Sequence, residues 1–402
     1  MKILKIIARC ILFFIAGISG FILLTVAWFY ATCPVYTFEE PKPFAGENFF
    51  NPYQQIDDDG WQKCIFHLHT KRWGGLTDGD NSSEEVLTAY RKLHFDIPCI
   101  SDYMSINRAN SDDPSYIPIY EHGYNIKKTH QLALGARKVV WRDYFFRQNL
   151  NQKQHIIDVL KKHSRRIAVN HPNRHHAYLP EDFRYLSGYD YFEVQNGRCI
   201  SETEWDAALT NGHPAWLIAN DDAHNVHDPA ILQREVTFVN ASVPAGDEIL
   251  NRLAQGMAFG LHFPYNKQAT FEDKERDAGL ISFPISIQVH EDTLHVVWQQ
   301  TMKQIEFIGD NGKLLKTVNG NNAAFYPIRS EDTYVRVKLT APEGFVYFLN
   351  PVIRCTGDEP VRQLLSSIDK SRTFCKRAII LAVLLGTFAI YIKNYRSKKR
   401  NL

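Results

Sequence analysis

The sequence predicts an α/β chain in which a (β/α) barrel is followed by a small antiparallel β-sandwich, with a transmembrane helix at each end. Three observations predict it. Between two uncharged apolar end segments, short β-type runs alternate with helix-type runs, as parallel strands joined by helices require. Histidines and carboxylates gather at the ends of those runs, where such barrels carry their active sites. From about Pro284 the helix-type runs stop and close-spaced β-type runs take over, as in a small sandwich.

The first apolar segment, residues 10–38, carries no charge and follows Lys2, Lys5 and Arg9. It exceeds the ~20 apolar residues that cross a bilayer and the core of about 7 to 15 expected of a cleaved signal peptide. Residues 1–38 are therefore expected to be an uncleaved anchor. The second run, 378–392, has 15 residues, short of the usual range of about 17 to 25. Lys376, Arg377, Lys393 and Arg396 flank it and extend it by snorkelling, and it has no polar stripe at helical spacing, so 376–394 is expected to span. Residues 1–9 and the tail 395–402 are basic, which puts both termini in the cytoplasm and the bulk of the chain outside it. The expected location is the inner (cell) membrane, with the bulk of the chain on the periplasmic or extracytoplasmic side.

Between the anchors, 39–60 reads as an extended linker rich in Pro, Gly and Asp. The barrel follows over 61–280, its strands being "KCIFHLHT", "FDIPCISDY", "YIPIYEHGY", "HQLALGA", "RRIAVNHP", "YDYFEVQNG" and "AWLIANDDAH". Helices are expected in "SSEEVLTAYRKLH", where Ser83 precedes an acidic first turn, and in "QKQHIIDVLKKHSRR", which has a basic last turn. The sandwich is expected over 281–355, with a tight hairpin at Asn311 and Gly312 in "GDNGK", and 356–375 is a second linker.

Charge and motifs exclude several classes. Lys plus Arg (46) nearly cancel Asp plus Glu (44), so no basic field points to nucleic acid as a partner. The seven cysteines show no CxxC spacing, which argues against a zinc ribbon or disulfide scaffold. There is no G-x-S-x-G elbow, P-loop or Rossmann glycine fingerprint.

What remains is a polar constellation at strand ends. His67 and His69 in "FHLHT" sit two apart, so in an extended strand both imidazoles face one surface as a metal clamp. Asp78, Asp102, Tyr103, Glu121, His130, His171, Glu193, Asn196, Asp222 and His224 follow at the ends of later strands. Such a mixed nitrogen and oxygen field suits divalent zinc, manganese or iron. Asp102 reads as a partner that orients a ligand imidazole, or as a capping carboxylate. Glu193 and Asn196 read equally as substrate-binding groups and as a plain turn. Lys71 and Arg72 either meet an anionic group or are solvated loop cations. His175, His176 and His213 are taken as loop residues, and the tryptophans as core or pocket wall.

In the order "HLHT", "DG", "SDY", "YEHGY", "HQLALGA", "NHP" and "NDDAH", residues 61 to about 260 resemble the polymerase and histidinol phosphatase (PHP) family. The C-terminal strands, with "YVRVKL" and "NP", are similar to its carbaryl-hydrolase-like (CehA/McbA) branch. The resemblance implies a distorted (β/α)7 PHP-type barrel holding two or three metals and hydrolysing phosphate or related esters. It implies that His67, His69, Glu121 and Asp222 hold one metal, that Glu121 bridges to a second held by His130 and His171, and that Asp78 and His224 supply a third. Tyr103 departs from the family's pattern, which has His there. A neutral phenol with a reference pKa of about 10 is a poor ligand, so two metals are expected, and a third requires a phenolate.

The function expected is a membrane-tethered, metal-dependent hydrolase that acts on a small-molecule ester, foremost a phosphate ester, through metal-activated water. Glu121, Asp102 and Tyr103 are the candidate catalytic residues, and Glu193, Asn196 and Arg72 the candidate substrate contacts. The alternatives are an amide, carbamate or carboxyl ester hydrolase of the same fold, or a membrane-bound binding module that has lost turnover.

Overall fold

The computed structural model describes residues 2–57 and 60–400. Met1, Asp58 and Asp59 of the expected linker, and Asn401 and Leu402 of the basic tail lie outside the described residues. The chain is mixed α/β, with a long apolar helix at each end: α1 (Lys2–Thr32) and, last in sequence, α7 (Lys370–Arg400). Both contain stretches long and apolar enough to cross a membrane, Lys5–Thr32 and Lys370–Ser397, and neither stretch is buried in the protein. The second helix thus begins ahead of the short apolar run that suggested it, because Lys370, Arg372 and Lys376 are helical too.

The strands that carry the site are β1 (Trp61–Ile65), β2 (Ile97–Pro98), β3 (Ile119–His122), β4 (Gln131–Leu134), β5 (Arg166–Val169), β6 (Tyr191–Asn196) and β7 (Trp216–Asn220). All but β1, which begins two residues ahead of its run, fall inside a β-type run; β1, β2, β5 and β7 stop short of the polar residues at the run's end, whereas β3 includes Glu121 and β6 includes Glu193 and Asn196. Pairing passes from β1 to β2 and from β3 through β4, β5 and β6 to β7. Two isolated parallel bridges, Tyr103 with Glu121 and Leu68 with Ala223, join these groups into a ring. The ring departs from simple βα alternation, since β4 runs antiparallel to both β3 and β5. Helices occupy only some connections: α2 (Ser83–Lys92) after β1, α3 (Leu150–Lys161) after β4, and α4 (Glu202–Thr210) after β6. The N-cap of α2 is Ser82, one residue before the serine expected. Its side chain accepts from the Glu85 amide while the Glu85 carboxylate accepts from the Ser82 amide, a reciprocal capping box. Asn149 and Gln152 make the same arrangement at α3.

The remaining elements are β8 (Glu235–Asn240), α5 (Gly246–Ala254), β9 (Ala258–His262), α6 (Phe271–Ala278) and the late strands β10 (Pro284–His290), β11 (Thr293–Gly309), β12 (Lys313–Pro327), β13 (Tyr334–Thr340), β14 (Val346–Leu349) and β15 (Val352–Cys355). The turn between β11 and β12 has the left-handed pair expected of Asn-Gly, with φ +56° at Asn311 and +70° at Gly312. The late strands do not form a sheet of their own. β14 pairs with β9, β9 with β8, and β8 with β1, so they continue the sheet that starts at the first site strand.

The two expected linkers are held as well. Tyr53 is fully buried, donating its hydroxyl to the Ala258 carbonyl at 2.7 Å and accepting the Asn350 amide at 2.7 Å. Asn48–Phe50 pairs with β15, and Tyr36–Phe38 pairs with Ser366–Ile368. That last ladder brings the end of α1 beside the start of α7. Lys376 donates to the carbonyls of Cys33 and Tyr30 at 2.9 and 3.2 Å, and Arg377 to that of Thr32 at 2.8 Å. The described cysteines are all free thiols.

Candidate metal centre

His67 and His69 lie just beyond β1, in an extended segment pinned on both sides. The Phe66 amide donates to Asn220 Oδ1 at 2.7 Å, and the His69 amide to the Ala223 carbonyl at 3.0 Å. The two rings, 5.0 Å apart, therefore face one space, as the i, i+2 spacing requires. Glu121 arrives from β3, His130 from the start of β4, His171 from beyond β5, and Asp222 from beyond β7. His171 and Asp222 hold left-handed backbone conformations, φ +28° and +52°, which cost energy at a non-glycine residue and concentrate at functional sites. Glycine is needed close by: a Cβ at Gly123 would lie 2.4 Å from the His130 ring, and one at Gly79 would lie 2.2 Å from the Thr70 carbonyl. That accounts for the "EHG" and "DG" of the sequence.

The side chains converge in two overlapping groups, His67 with His69 and Asp222, and His67 with Glu121 and His171. His67 Nε2 is 3.3 Å from Glu121 Oε1 and 3.5 Å from Asp222 Oδ1, while His69 Nε2 is 3.3 Å from Glu121 Oε2 and 3.2 Å from Asp222 Oδ1. On the other side of Glu121, Oε1 is 2.7 Å from His130 Nδ1 and 3.2 Å from His171 Nε2. Ligand atoms about 2.0–2.1 Å from a tetrahedral ion lie about 3.3–3.4 Å from one another, which is the spacing of the first group.

Donor chemistry passes the same test. His67 Nε2, both nitrogens of His69, Glu121 Oε2, His130 Nε2 and His171 Nδ1 are buried without a hydrogen-bond partner, a costly arrangement unless a cation completes it. Charge agrees. Burial opposes ionisation of Glu121, yet His130 and His67 hold its carboxyl well below the usual range, and Asp222 is depressed likewise against its burial. Burial also opposes a charged His67, but Asp222, Glu121 and Glu193 push it well above an ordinary imidazole. Without a metal the cluster draws protons to balance its carboxylates, and a divalent ion meets the same demand.

The other predicted residues fall into several places. His224 stacks on His69 with ring centres 4.3 Å apart, its Nε2 is 3.2 Å from Asp222 Oδ1, and its Nδ1 is 3.8 Å from Asp78 Oδ1. Asp78 is at the open edge, with its side chain 63% exposed. Tyr103 also stacks on His69, at 4.3 Å. Burial and the nearby Glu121, Asp222 and Asp78 carboxylates raise its pKa far above the free phenol value.

Glu193 and Asn196 are buried among the candidate ligands, and Asn196 Nδ2 donates to Asp222 Oδ2 at 3.4 Å. Glu193 is fully buried behind His67, with Oε1 2.9 Å from His67 Nδ1 and Oε2 accepting the His171 amide at 2.8 Å and Asn196 Nδ2 at 3.0 Å. It thereby fixes the tautomer that turns His67 Nε2 towards the site. Asp102 holds a loop rather than an imidazole: it accepts from the Thr70 amide at 2.7 Å, the Thr70 hydroxyl and Asn107, with Arg72 Nε at 3.0 Å. Arg72 is thus already paired. His122 faces away and bonds Gln131 and the Arg142 carbonyl.

Several contributors were not singled out from the sequence. Asn170 Nδ2 donates to Glu121 Oε1 at 3.2 Å, and Asn220 Nδ2 to Glu193 Oε1 at 2.8 Å. Both precede marked residues in "NHP" and "NDDAH", so the asparagines were a readable part of those motifs. Arg174 Nη1 lies 3.1 Å from Asp222 Oδ2, and Arg198 Nε 3.6 Å from it. No periodicity points to either arginine.

No family model matches the chain, and no curated protein matches it. Among solved structures it is similar to a crystal structure from Bacteroides vulgatus ATCC 8482, described as a two-domain protein containing a predicted PHP-like metal-dependent phosphoesterase. The identity is 14%, the match covers 76% of this chain and 99% of that one, and the TM-score is 0.40. Over that distance chemistry has to be argued from the side chains themselves.

Proposed function

We propose that the chain is a membrane-tethered, extracytoplasmic metal-dependent phosphoesterase, built on a distorted (β/α)7 barrel of the PHP type over residues 61–280. The observation that carries this reading is the convergence at coordination spacing of His67 with His69 and Asp222, and of His67 with Glu121 and His171, with buried unpartnered atoms on His67, His69, Glu121 and His171 and on the adjoining His130. Divalent ions held there supply Lewis acidity to an ester's phosphoryl oxygen and lower the pKa of water. Glu121 reaches both histidine groups and would help to hold an ion on either side. Glu193 and Asn170 orient those ligands. Arg174 and Arg198 border Asp222, and Lys128 lies 5.6 Å over the Tyr103 ring. Such cations at the edge suit an anionic ester better than a neutral carbamate or carboxyl ester.

The membrane arrangement draws support from the side-by-side exit of α1 and α7, which sends both termini to one face, and from the basic flanks that make it the cytoplasmic face.

The test uses the full-length chain in detergent, loaded with manganese or zinc, on p-nitrophenyl phosphate, bis-p-nitrophenyl phosphate and p-nitrophenyl acetate. Phosphoester hydrolysis that is lost to a chelator and restored by metal is expected. Turnover of the acetate alone would contradict the substrate class, and no turnover by the metal-loaded chain would contradict the enzyme.

A further inference from the structure

The loops at the open edge of the candidate centre carry large apolar side chains that face solvent: Trp73, Leu76, Ile126, Trp141, Phe145 and Phe146, with Leu76 90% exposed and Phe146 58% exposed. They form a connected surface. The Trp73 and Trp141 rings are 5.7 Å apart, the Tyr124 hydroxyl donates to the Trp141 carbonyl at 3.2 Å, and the Ile126 amide donates to the Phe145 carbonyl at 3.0 Å. An apolar surface of this kind marks an interaction site.

Its two ends identify what covers it. At one end, Trp73 Nε1 donates to the Tyr103 carbonyl at 2.9 Å, and the Tyr103 ring stacks on His69. At the other, the Phe146 amide donates to the Tyr30 hydroxyl at 2.9 Å with the two rings 6.2 Å apart. Arg142 donates to Thr32 Oγ1 at 2.9 Å and to the Phe29 carbonyl at 3.3 Å. Phe29, Tyr30 and Thr32 form the last turn of α1, the turn that reaches the bilayer surface when α1 spans. A loop hydrogen-bonded to that turn sits at the same depth. Its sequence fits that depth, since Lys127, Lys128, Arg142 and Arg147 interleave with the aromatics. Aromatic rings and cations together are what a bilayer interface with anionic head groups selects.

We propose that the mouth of the centre lies in the surface of the bilayer that α1 and α7 span, so that its substrate is an anionic lipid phosphate ester whose acyl chains stay in the membrane. This rests on the reading of the chain as a membrane-spanning metal-dependent phosphoesterase. In the reaction, a water oxygen bonds to phosphorus, the phosphorus–oxygen bond of the ester breaks, and the leaving alkoxide takes up a proton. The products are an alcohol and a phosphate. A head group entering beside Lys128 and Arg174 leaves its chains against Trp141 and Phe146.

The experiment uses the full-length, metal-loaded chain in phosphatidylcholine vesicles containing phosphatidic acid, with p-nitrophenyl phosphate as the soluble comparison. In the double variant Leu76→Asp, Phe146→Asp, the ratio of kcat/KM on the vesicle lipid to kcat/KM on the soluble ester should fall at least tenfold. A ratio unchanged within twofold, or a parent chain that turns over only the soluble ester, would overturn the proposal. Position is read separately, without turnover, in a Trp28→Phe background that silences the tryptophan of α1. Acyl-chain-brominated lipid should quench the fluorescence, and Trp141→Phe should remove much of that quenching. Absence of quenching would overturn the placement of the mouth. Absence of turnover on both substrates, with quenching intact, would overturn the phosphoesterase reading and the substrate with it, and leave the placement standing.

Discussion

Glu121 contacts four histidines of the candidate centre, His67, His69, His130 and His171. Glu121→Gln keeps the shape and removes the charge from both groups, so phosphoester hydrolysis should fall by several orders of magnitude. Tyr103→Phe keeps the ring stacked on His69 and should cost kcat/KM about 10- to 1,000-fold, less than Glu121→Gln. If Tyr103→Phe were as inactive as Glu121→Gln while keeping its metals, the phenol itself would be a ligand or a catalytic group. Glu193→Gln separates two roles. A group behind His67 should weaken metal affinity about 10- to 100-fold and leave KM at saturating metal near the parent value, whereas a substrate contact would raise KM. That His67, His69, Glu121, His130, His171 and Asp222 would gather was legible because imidazoles and carboxylates at the ends of neighbouring strands are chemically distinctive. The direction of Glu193 was not, because on a closed ring the residue types that touch a ligand and those that support it are the same.

Among the elements, α4 and β13 are joined by a buried ion pair. Arg336 Nε and Nη2 each lie 2.7 Å from an Asp206 oxygen, and the Tyr334 hydroxyl donates to Asp206 at 3.0 Å. Removing one partner of such a pair costs about 3–5 kcal/mol where the other is left unpaired, and less here because Glu202 Oε2, 3.0 Å from Arg336 Nη2, still meets the guanidinium. Asp206→Ala should therefore lower the thermal midpoint markedly, while Asp206→Leu with Arg336→Met should recover most of it. If the two variants melted alike, the stranded charge would not be the cause. The pairing of β8 with β9 carries a pH signature. Burial pushes the Glu235 carboxyl up to about 7 against the pull of His262, whose Nδ1 is 2.7 Å from Oε1. Because the folded pKa exceeds the ordinary carboxylate value of about 4.3, this contribution is present in full at lower pH and is lost as pH rises through 7. Thermal melts from pH 5 to 8 should fall more steeply for the parent than for Glu235→Gln. Equal slopes would contradict the assignment. The strand that became β13 and the Asn-Gly turn were legible because each is local, whereas α4, β8 and β9 were not among the expected elements and the cap of α2 falls at Ser82, one residue before the serine expected. The antiparallel course of β4 and the pairing of β14 with β9 were not, since sheet partners are set by non-local closure that a β-type run does not encode.

For the molecule as a whole, the ladder between Tyr36–Phe38 and Ser366–Ile368 makes the two apolar helices leave together. Reporters fused at both ends should therefore both behave as cytoplasmic, and an exported C-terminal reporter would show that α7 does not cross. The apolar ends were legible from composition alone, but their joint exit was not, because it depends on residues more than three hundred positions apart meeting in one ladder. The same long-range closure gathers the strand-end residues into one centre. Elemental analysis of the full-length chain, loaded with manganese or zinc and desalted without chelator, tests that centre most directly. The account predicts two divalent ions per chain in the parent and less than one in Glu121→Gln. Fewer than one ion in the parent, or the same content in both chains, would contradict it.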